Sequence, residues 1–386
     1  MAVPKLRFKE FDDEWNNLKY KDVLNIKYGK DHKGLSDGDI PVYGTGGIMR
    51  YVDKFLYQGE SILIGRKGTI DQPKYVNEKF WTVDTLFYTE IKENSVPLFL
   101  FQHALQVNWL GLNEATGVPS LNTTSINNVD ISLPSKAEQT KIASFFSAVD
   151  EKISQLTQKY ELLRQYKQGM MQKLFSQQIR FKADDGCEFG EWKNISFLSL
   201  MNELWDYRGR TPKKLGMDWG NGEIQSLSAL NIKKGFIDFE ADCHLGSEEL
   251  YKVWMNKGDL VKDDIIFTME APLGNVALIP DNRKYILSQR VVCFKTNQKL
   301  VFNPFLFQLI LSDQFQNRID ELATGTTAKG INQKSMQKIE VQLPSLEEQT
   351  KIANFLSAID QKIEVVSQQI EQAKQWKKGL LQQMFV

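Results

Sequence analysis

The sequence predicts an α+β protein: two mixed α/β domains joined by two long antiparallel coiled-coil helices, with an internal pseudo-two-fold repeat. Three observations predict it. The segment LPSKAEQTKIASFFSAVDEKI, from Leu133, recurs 210 residues later as LPSLEEQTKIANFLSAIDQKI, with 15 of 21 positions identical. Apolar residues after each start step by four and three, the 3.5-residue repeat of a coiled-coil seam. Weaker echoes precede each copy in the same order, so the duplication runs through the whole chain.

The echoes begin near the start, where Arg7-Phe8 and Glu14-Trp15 correspond to Arg180-Phe181 and Glu191-Trp192. The strand end ESILIGRKGTI from Glu60 parallels DDIIFTMEAPLGNV from Asp263. PLFLFQ from Pro97 parallels PFLFQ from Pro304; both read as apolar helices with proline at the first helical position, where its missing N–H costs nothing. Ala-Thr-Gly loops follow at Ala115–Gly117 and Ala323–Gly325, and Asn122 and Asn332 already sit at the 210-residue offset. Runs such as KFWTVDTLFYTEI and KYILSQRVVCFKT, rich in aromatic and β-branched residues, read as strands. The expected organisation is globular over 1–133, helical over 134–178, globular over 179–343 and helical over 344–386.

Each helix opens with an N-cap candidate, Ser135 or Ser345, and Glu138 or Glu348 stands three residues on, the spacing of a capping box. The first seam runs Ile142, Phe146, Val149, Ile153, Leu156, Tyr160, Leu163, Met170, Leu174. The second runs Ile352, Leu356, Ile359, Ile363, Val366, Ile370, Ala373, Leu380, Met384. Lys167 and Lys377 interrupt them at equivalent slots, flanked by Tyr166 or Trp376 and by Gly169 or Gly379. A parallel pair would set these lysines against each other, whereas antiparallel pairing moves them to different layers. At about 1.5 Å per residue, ~40 residues would span ~60 Å, with one domain at each end.

Hydrophobic residues make up 42% of the 386 and charged residues 25%, ordinary for a globular protein. No run of ~18 apolar residues occurs, and MAVPKLRFKE lacks the apolar stretch of a secretory signal, so a cytoplasmic location is expected. Cys187, Cys243 and Cys293 make no disulfide framework. Lys+Arg and Asp+Glu balance at 48 each, so any nucleic-acid surface must be local.

Catalytic signatures are lacking. No phosphate-binding loop or dinucleotide fingerprint occurs, and YGTGGI (43–48) is not followed at once by a helical pattern. His32, His103 and His244 are scattered, and Cys243-His244 suits neither zinc nor a nucleophile–base pair. Asp184 and Asp185 with Glu191-Trp192-Lys193 loosely resemble a nuclease metal site. The repeat counterpart, Glu14-Trp15-Asn16, lacks the lysine, which favours a structural tryptophan. No Asn-Pro-Pro-Tyr or Asp-Pro-Pro-Tyr signature of an amino-methyltransferase is present. The expectation is therefore a chain without catalytic residues, cofactor or metal of its own.

Basic loops carry the remaining signal. DYRGRTPKK (206–214), IKYGKDHKG (26–34) and GRKGT (65–69) combine cations with an aromatic or glycines, as phosphate contact and base-edge readout need. The candidate DNA-contact residues are Lys30, Lys33, Thr45, Arg66, Lys67 and Thr69 in the first domain. In the second they are Arg208, Arg210, Thr211, Lys213, Lys214, Ser228, Thr326, Thr327 and Lys329. Each alone is compatible with a solvated loop; together, in two related domains, they describe a divided nucleic-acid reader.

The doubled segment, with Glu138-Gln139, Lys141-Ile142-Ala143, Asp150 and Lys152-Ile153 matched by Glu348-Gln349, Lys351-Ile352-Ala353, Asp360 and Lys362-Ile363, resembles the specificity subunit of type I restriction–modification systems. Tyr207–Pro212, Pro41–Gly44 and the Thr-Gly loops are similar to landmarks of its recognition domains, and the likeness covers essentially the whole chain. The resemblance implies a non-catalytic subunit in which each globular domain reads one half of a bipartite, asymmetric site on double-stranded DNA. It further implies that the helices set the gap and dock two methyltransferase subunits. Those subunits would carry S-adenosylmethionine, and restriction subunits would add ATP- and Mg-dependent chemistry. The competing reading is a coiled-coil adaptor whose globular ends bind proteins.

Overall fold

The computed structural model describes residues 4–325 and 329–385. The chain divides into two compact units, residues 1–159 with 366–386 and residues 160–365.

In the first unit β1 (Asn16–Lys19) leads through a single turn, α1 (Tyr20–Val23), into β2 (Leu24–Tyr28). The strands β3 (Asp37–Gly44), β4 (Gly47–Val52), β5 (Tyr57–Gly65), β6 (Lys74–Thr82) and β7 (Leu86–Ile91) follow. They form a sheet of order β2-β7-β5-β6-β3-β4, antiparallel except where β3 meets β6. The buried α2 (Pro97–Ala104) follows, then α3 (Thr123–Asn127), β8 (Asp130–Leu133) and the long α4 (Lys136–Phe175). β8 pairs antiparallel with β1. Alternation along β5 and β7 breaks into continuous buried runs because both strands lie under α2 and the helices, with Ile62, Ile64, Phe87, Phe99 and Trp109 in one core.

The second unit repeats the plan with longer loops. β9 (Lys193–Ser196), β10 (Met201–Asp206), β11 (Ile224–Leu227) and β12 (Leu245–Gly246) precede α5 (Glu248–Trp254). β13 (Ile265–Thr268), β14 (Val276–Leu278), β15 (Ile286–Leu287) and β16 (Val291–Thr296) follow. Next come α6 (Asn303–Leu311), α7 (Asp313–Leu322), α8 (Gln333–Met336), β17 (Glu340–Leu343) and α9 (Leu346–Met384). Sheet orders are β10-β16-β13-β14 and β12-β11-β15, and β17 pairs with β9. Two expectations need adjustment. This domain has further helices, α5 and α7, besides the apolar one, and Pro304 follows Asn303 rather than opening α6. The proline still lies in the first turn, where no N–H is needed.

Each unit takes the start of one long helix and the end of the other into its core. In the first unit Ile142, Ala143 and Phe146 of α4 enter the core together with Leu381 and Met384 of α9. In the second, Ile352, Ala353 and Leu356 of α9 are joined by Met171, Leu174 and Phe175 of α4. The sets correspond at an offset of 210 residues, with Phe385, packed against the first core, answering Phe175. Within the first unit Asp150 accepts from Lys377 at 2.6 Å; within the second Asp360 accepts from Lys167 at 2.7 Å. A pairing that rises along one helix as it falls along the other is antiparallel, so the seam lysines face aspartates and not each other.

The expected capping boxes are incomplete. Ser135 and Ser345 accept from the N–H of Glu138 and Glu348 at a loose 3.4 and 3.3 Å. The two carboxylates, fully buried, instead bind Arg7 and Arg180 through both oxygens at 2.7–3.0 Å. The neighbouring glutamines finish the joint: Gln139 accepts from the N–H of Val96 and Gln349 from that of Phe302, each at 2.8 Å. The Glu-Gln pair that recurs in the sequence is thus a latch between helix and domain. Trp192 donates to Glu348 at 3.1 Å and Asp184 pairs with Lys351, so this cluster is part of the latch. Asn122 and Asn332 cap α3 and α8, accepting from Ser125 and Ser335 at 2.7 and 2.8 Å. Among the described residues no helix is long and apolar enough to cross a membrane, and no group of three or more His, Cys, Asp or Glu side chains could hold a metal ion.

Candidate nucleic-acid interface

In the first unit, loops at one edge of the sheet surround a cleft of about 680 Å³, lined by Asp31–Lys33, the β3–β4 turn (44–49) and Val83–Thr85. Gly29 turns the chain out of β2 so close to the carbonyl of Val83 that a Cβ would collide with it. Lys33 and Thr45 line the cleft. Lys30 is exposed beside it, its backbone clamped between the Thr82 carbonyl (2.8 Å) and the indole N–H of Trp81 (2.8 Å). Lys33 donates its N–H to the Asp31 carboxylate, which lowers the pKa of that carboxyl. Arg66 lies over the Tyr28 ring at 5.4 Å and donates to the Asp84 carbonyl at 3.0 Å. Lys67 and Thr69 are exposed on the turn that follows, and Gly68, at φ 90°, brings that turn to Thr45.

The second unit has a smaller cleft of about 360 Å³, lined by Arg210–Pro212, Ser226, Ser228, Leu230, Asp242–His244, Trp219, Trp254, Ser288 and Gln289. Several candidates here already have partners. Arg208 grips Asp206 at 2.6–3.0 Å. Burial alone would raise the Asp206 carboxyl, but the guanidinium and the Arg208 N–H hold it below its usual range. Arg210 stacks on Tyr207 at 4.8 Å and donates to the Trp254 carbonyl at 2.7 Å. Thr211 caps the turn 212–215, Lys214 donates to the Gly209 carbonyl, and Ser228 donates to Asn231. Lys213 is exposed, Lys329 stands 3.5 Å from Asp320, and Thr326 and Thr327 lie outside the described residues. Arg210, Thr211 and Ser228 meet at the cleft; Arg208, Lys213, Lys214 and Lys329 do not line it.

Backbone register shows that the two clefts are equivalent. The parallel pair Val42↔Trp81, Tyr43↔Thr82 matches Ser226↔Ile286, Leu227↔Leu287. The N–H of Val83 donates to Tyr43 as that of Ser288 does to Leu227, at 3.1 and 2.9 Å. Arg66 donates its N–H to Thr85 as Met269 does to Arg290, and Leu121 binds Arg66 as Ile331 binds Met269, all at 2.8–2.9 Å. Four independent contacts therefore pair Asp84 with Gln289 and Thr85 with Arg290. The β2–β7 and β10–β16 registers (Tyr28↔Phe87, Asp206↔Val292) pair Lys30 with Arg208.

Sequence reasoning passed over Asp84, Thr85, Gln289 and Arg290. The runs WTVDTLF and ILSQRVV share no identity in this alignment, and neither Asp84 nor Gln289 is basic, so only the strand register links them. Arg290 sits at φ 66°, a left-handed conformation uncommon for a side-chain-bearing residue, with Glu270 at 3.8 Å.

Two unlike α/β domains, built on one hydrogen-bond frame and latched to a repeated helix pair, define a duplicated scaffold with divergent clefts. The chain belongs to the family described as type I restriction modification DNA specificity domain, which matches residues 12–165 and 193–375. Among its relatives, a protein described as the putative type I restriction enzyme MjaX specificity subunit of Methanocaldococcus jannaschii is 29% identical over 74% of this chain. The EcoDI specificity subunit of Escherichia coli is 20% identical over 93% of this chain and 84% of its own length. The matches to MjaX and to the MjaVIII specificity subunit of the same organism span 65% and 64% of those relatives, under two thirds of their length. In fold, the chain is similar to the type I restriction–modification S subunit from M. genitalium (TM-score 0.64, 14% identity, 100% of this chain and 99% of that one). It is also similar to a chain from a study of complex assembly and conformational transition of the type I R-M system (TM-score 0.54, 13% identity, 97% of each).

Proposed function

We propose that the chain is the non-catalytic specificity subunit of a type I restriction–modification enzyme, acting in the cytoplasm on double-stranded DNA. Each globular domain reads one half of a bipartite, asymmetric site, and the paired helices set the gap and dock two methyltransferase subunits. Those subunits carry S-adenosylmethionine and methylate adenine; restriction subunits bring ATP- and Mg-dependent translocation and cleavage. The observation that carries this reading is the pair of equivalent clefts, held by the same backbone contacts yet lined by different side chains. The two domains keep the hydrogen-bond frame around the cleft while the side chains that line it differ, as two half-sites of different sequence require. Lys30, exposed beside the first cleft, suits a phosphate contact, which positions a protein on DNA without reading sequence, whereas the equivalent Arg208 is neutralised by Asp206.

The test is to purify the chain with its methyltransferase subunit and map methylated adenines in cells that express the complex. The expected result is one two-part motif whose halves differ. Stable assembly with the partner but no sequence-dependent methylation would favour the adaptor reading.

A further inference from the structure

We infer that Asp84 and Gln289 are the equivalent base-reading positions of the two domains: Asp84 selects cytosine in one half-site and Gln289 selects adenine in the other. The inference rests on the proposed function and assigns it to particular side chains. Both residues line their clefts and both are exposed. Among the described residues, neither side chain has a hydrogen-bond or ion-pair partner, whereas around the second cleft Arg210, Thr211 and Ser228 are all engaged.

Their backbones, by contrast, are held. Each follows a buried residue (Val83 or Ser288) whose N–H is bound across to the parallel strand. Each precedes a residue (Thr85 or Arg290) whose carbonyl accepts from the neighbouring strand. A polar group that is free at its tip and fixed at its root is what a reader of base edges requires, because looseness at the root would blur discrimination.

The chemistry assigns the bases. An ionised carboxylate only accepts, and among major-groove edges it matches the N4 amino donor of cytosine. A primary amide donates and accepts side by side, matching N7 and N6 of adenine. The backbone contacts around this position are the same in the two domains, while its side chain changes from acid to amide. A kept frame beside an altered side chain fits the division between contacts that position and contacts that specify.

The test uses the complete complex in cells, with methylated motifs mapped for wild type, Asp84→Asn and Gln289→Ala. Both side chains are exposed and unpartnered, so thermal unfolding of both variants should match wild type. Gln289→Ala should relax one adenine position in one half of the motif, with discrimination falling by between about 5- and 150-fold. Asp84→Asn, which replaces an acceptor-only group by an amide, should move one cytosine position in the other half towards adenine, with discrimination for cytosine falling by a similar factor. In each case the opposite half should stay unchanged. An unaltered motif in both variants would overturn the assignment, as would a loss of methylation spread evenly over all sites. If the wild-type complex itself showed no sequence preference, the proposed function would fail and this assignment with it.

Discussion

Glu138 and Glu348 are fully buried carboxylates, each tolerable only because an arginine from the start of its domain meets both oxygens. Removing the arginine leaves a buried carboxylate without a counter-charge, with the Trp192 N–H remaining on Glu348. Arg180→Ala should therefore destabilise the second unit by about 3 kcal/mol or more, seen as a lower denaturant midpoint for that unit. Glu348→Gln should cost less, because the arginine, partly exposed, can turn to water. A second residue-scale prediction concerns His103, buried with its Nδ1 2.9 Å from the Tyr20 hydroxyl. Burial lowers its pKa from 6.5 to about 4. The unfolded chain takes up a proton below about pH 6.5 and the folded ring does not, so this contribution is complete above pH 6.5. It is lost as the pH falls towards 4, and the loss amounts to about 3 kcal/mol. Unfolding of the first unit measured between pH 7 and 4 should show it, and His103→Phe should flatten the slope.

At the scale of elements, the helix pair combines an apolar seam with one polar layer per unit. In the first unit Lys377 meets Asp150, which also accepts from Gln102 at 3.3 Å; in the second Lys167 meets Asp360, which accepts from Gln308 at 2.8 Å. These layers tie both helices and the apolar helix of the domain to one register. Asp150→Ala should weaken the first unit by about 1.5–3 kcal/mol, the range for charge-assisted hydrogen bonds. The double variant Asp150→Ala/Lys377→Met should recover part of that, because it also removes the half-buried lysine left without its counter-charge. Hydrogen exchange along 142–159 and 370–384 would measure both. Asn122 and Asn332 showed only their offset in the sequence, and their capping role came from the structure. The seam and its direction were legible in the sequence because helical period and the slots that interrupt it are local signals. The fate of Glu138 and Glu348 was not. Their spacing from serine is that of a capping box, and only a contact with Arg7 or Arg180, 131 or 168 residues away, draws them inward. The cleft was half legible for a related reason: cations and glycines mark a loop by composition. Asp84 and Gln289 acquire meaning only from strand register, which composition does not carry.

At the scale of the whole molecule, one backbone plan is used twice and its exposed clefts differ. With a net charge of zero, the proposed reading leaves much of the phosphate attraction to the partner subunits. The chain alone should therefore bind duplex DNA weakly, and its affinity should fall with salt; titration from 50 to 200 mM salt would show this. The account stands most directly on whether each domain governs its own half of the target. The decisive measurement is the methylated motif of a complex whose chain has residues 1–133 replaced by the corresponding domain of another family member. The account predicts a motif changed in one half, with the other half retained. A motif unchanged after the exchange, or altered in both halves, would contradict it.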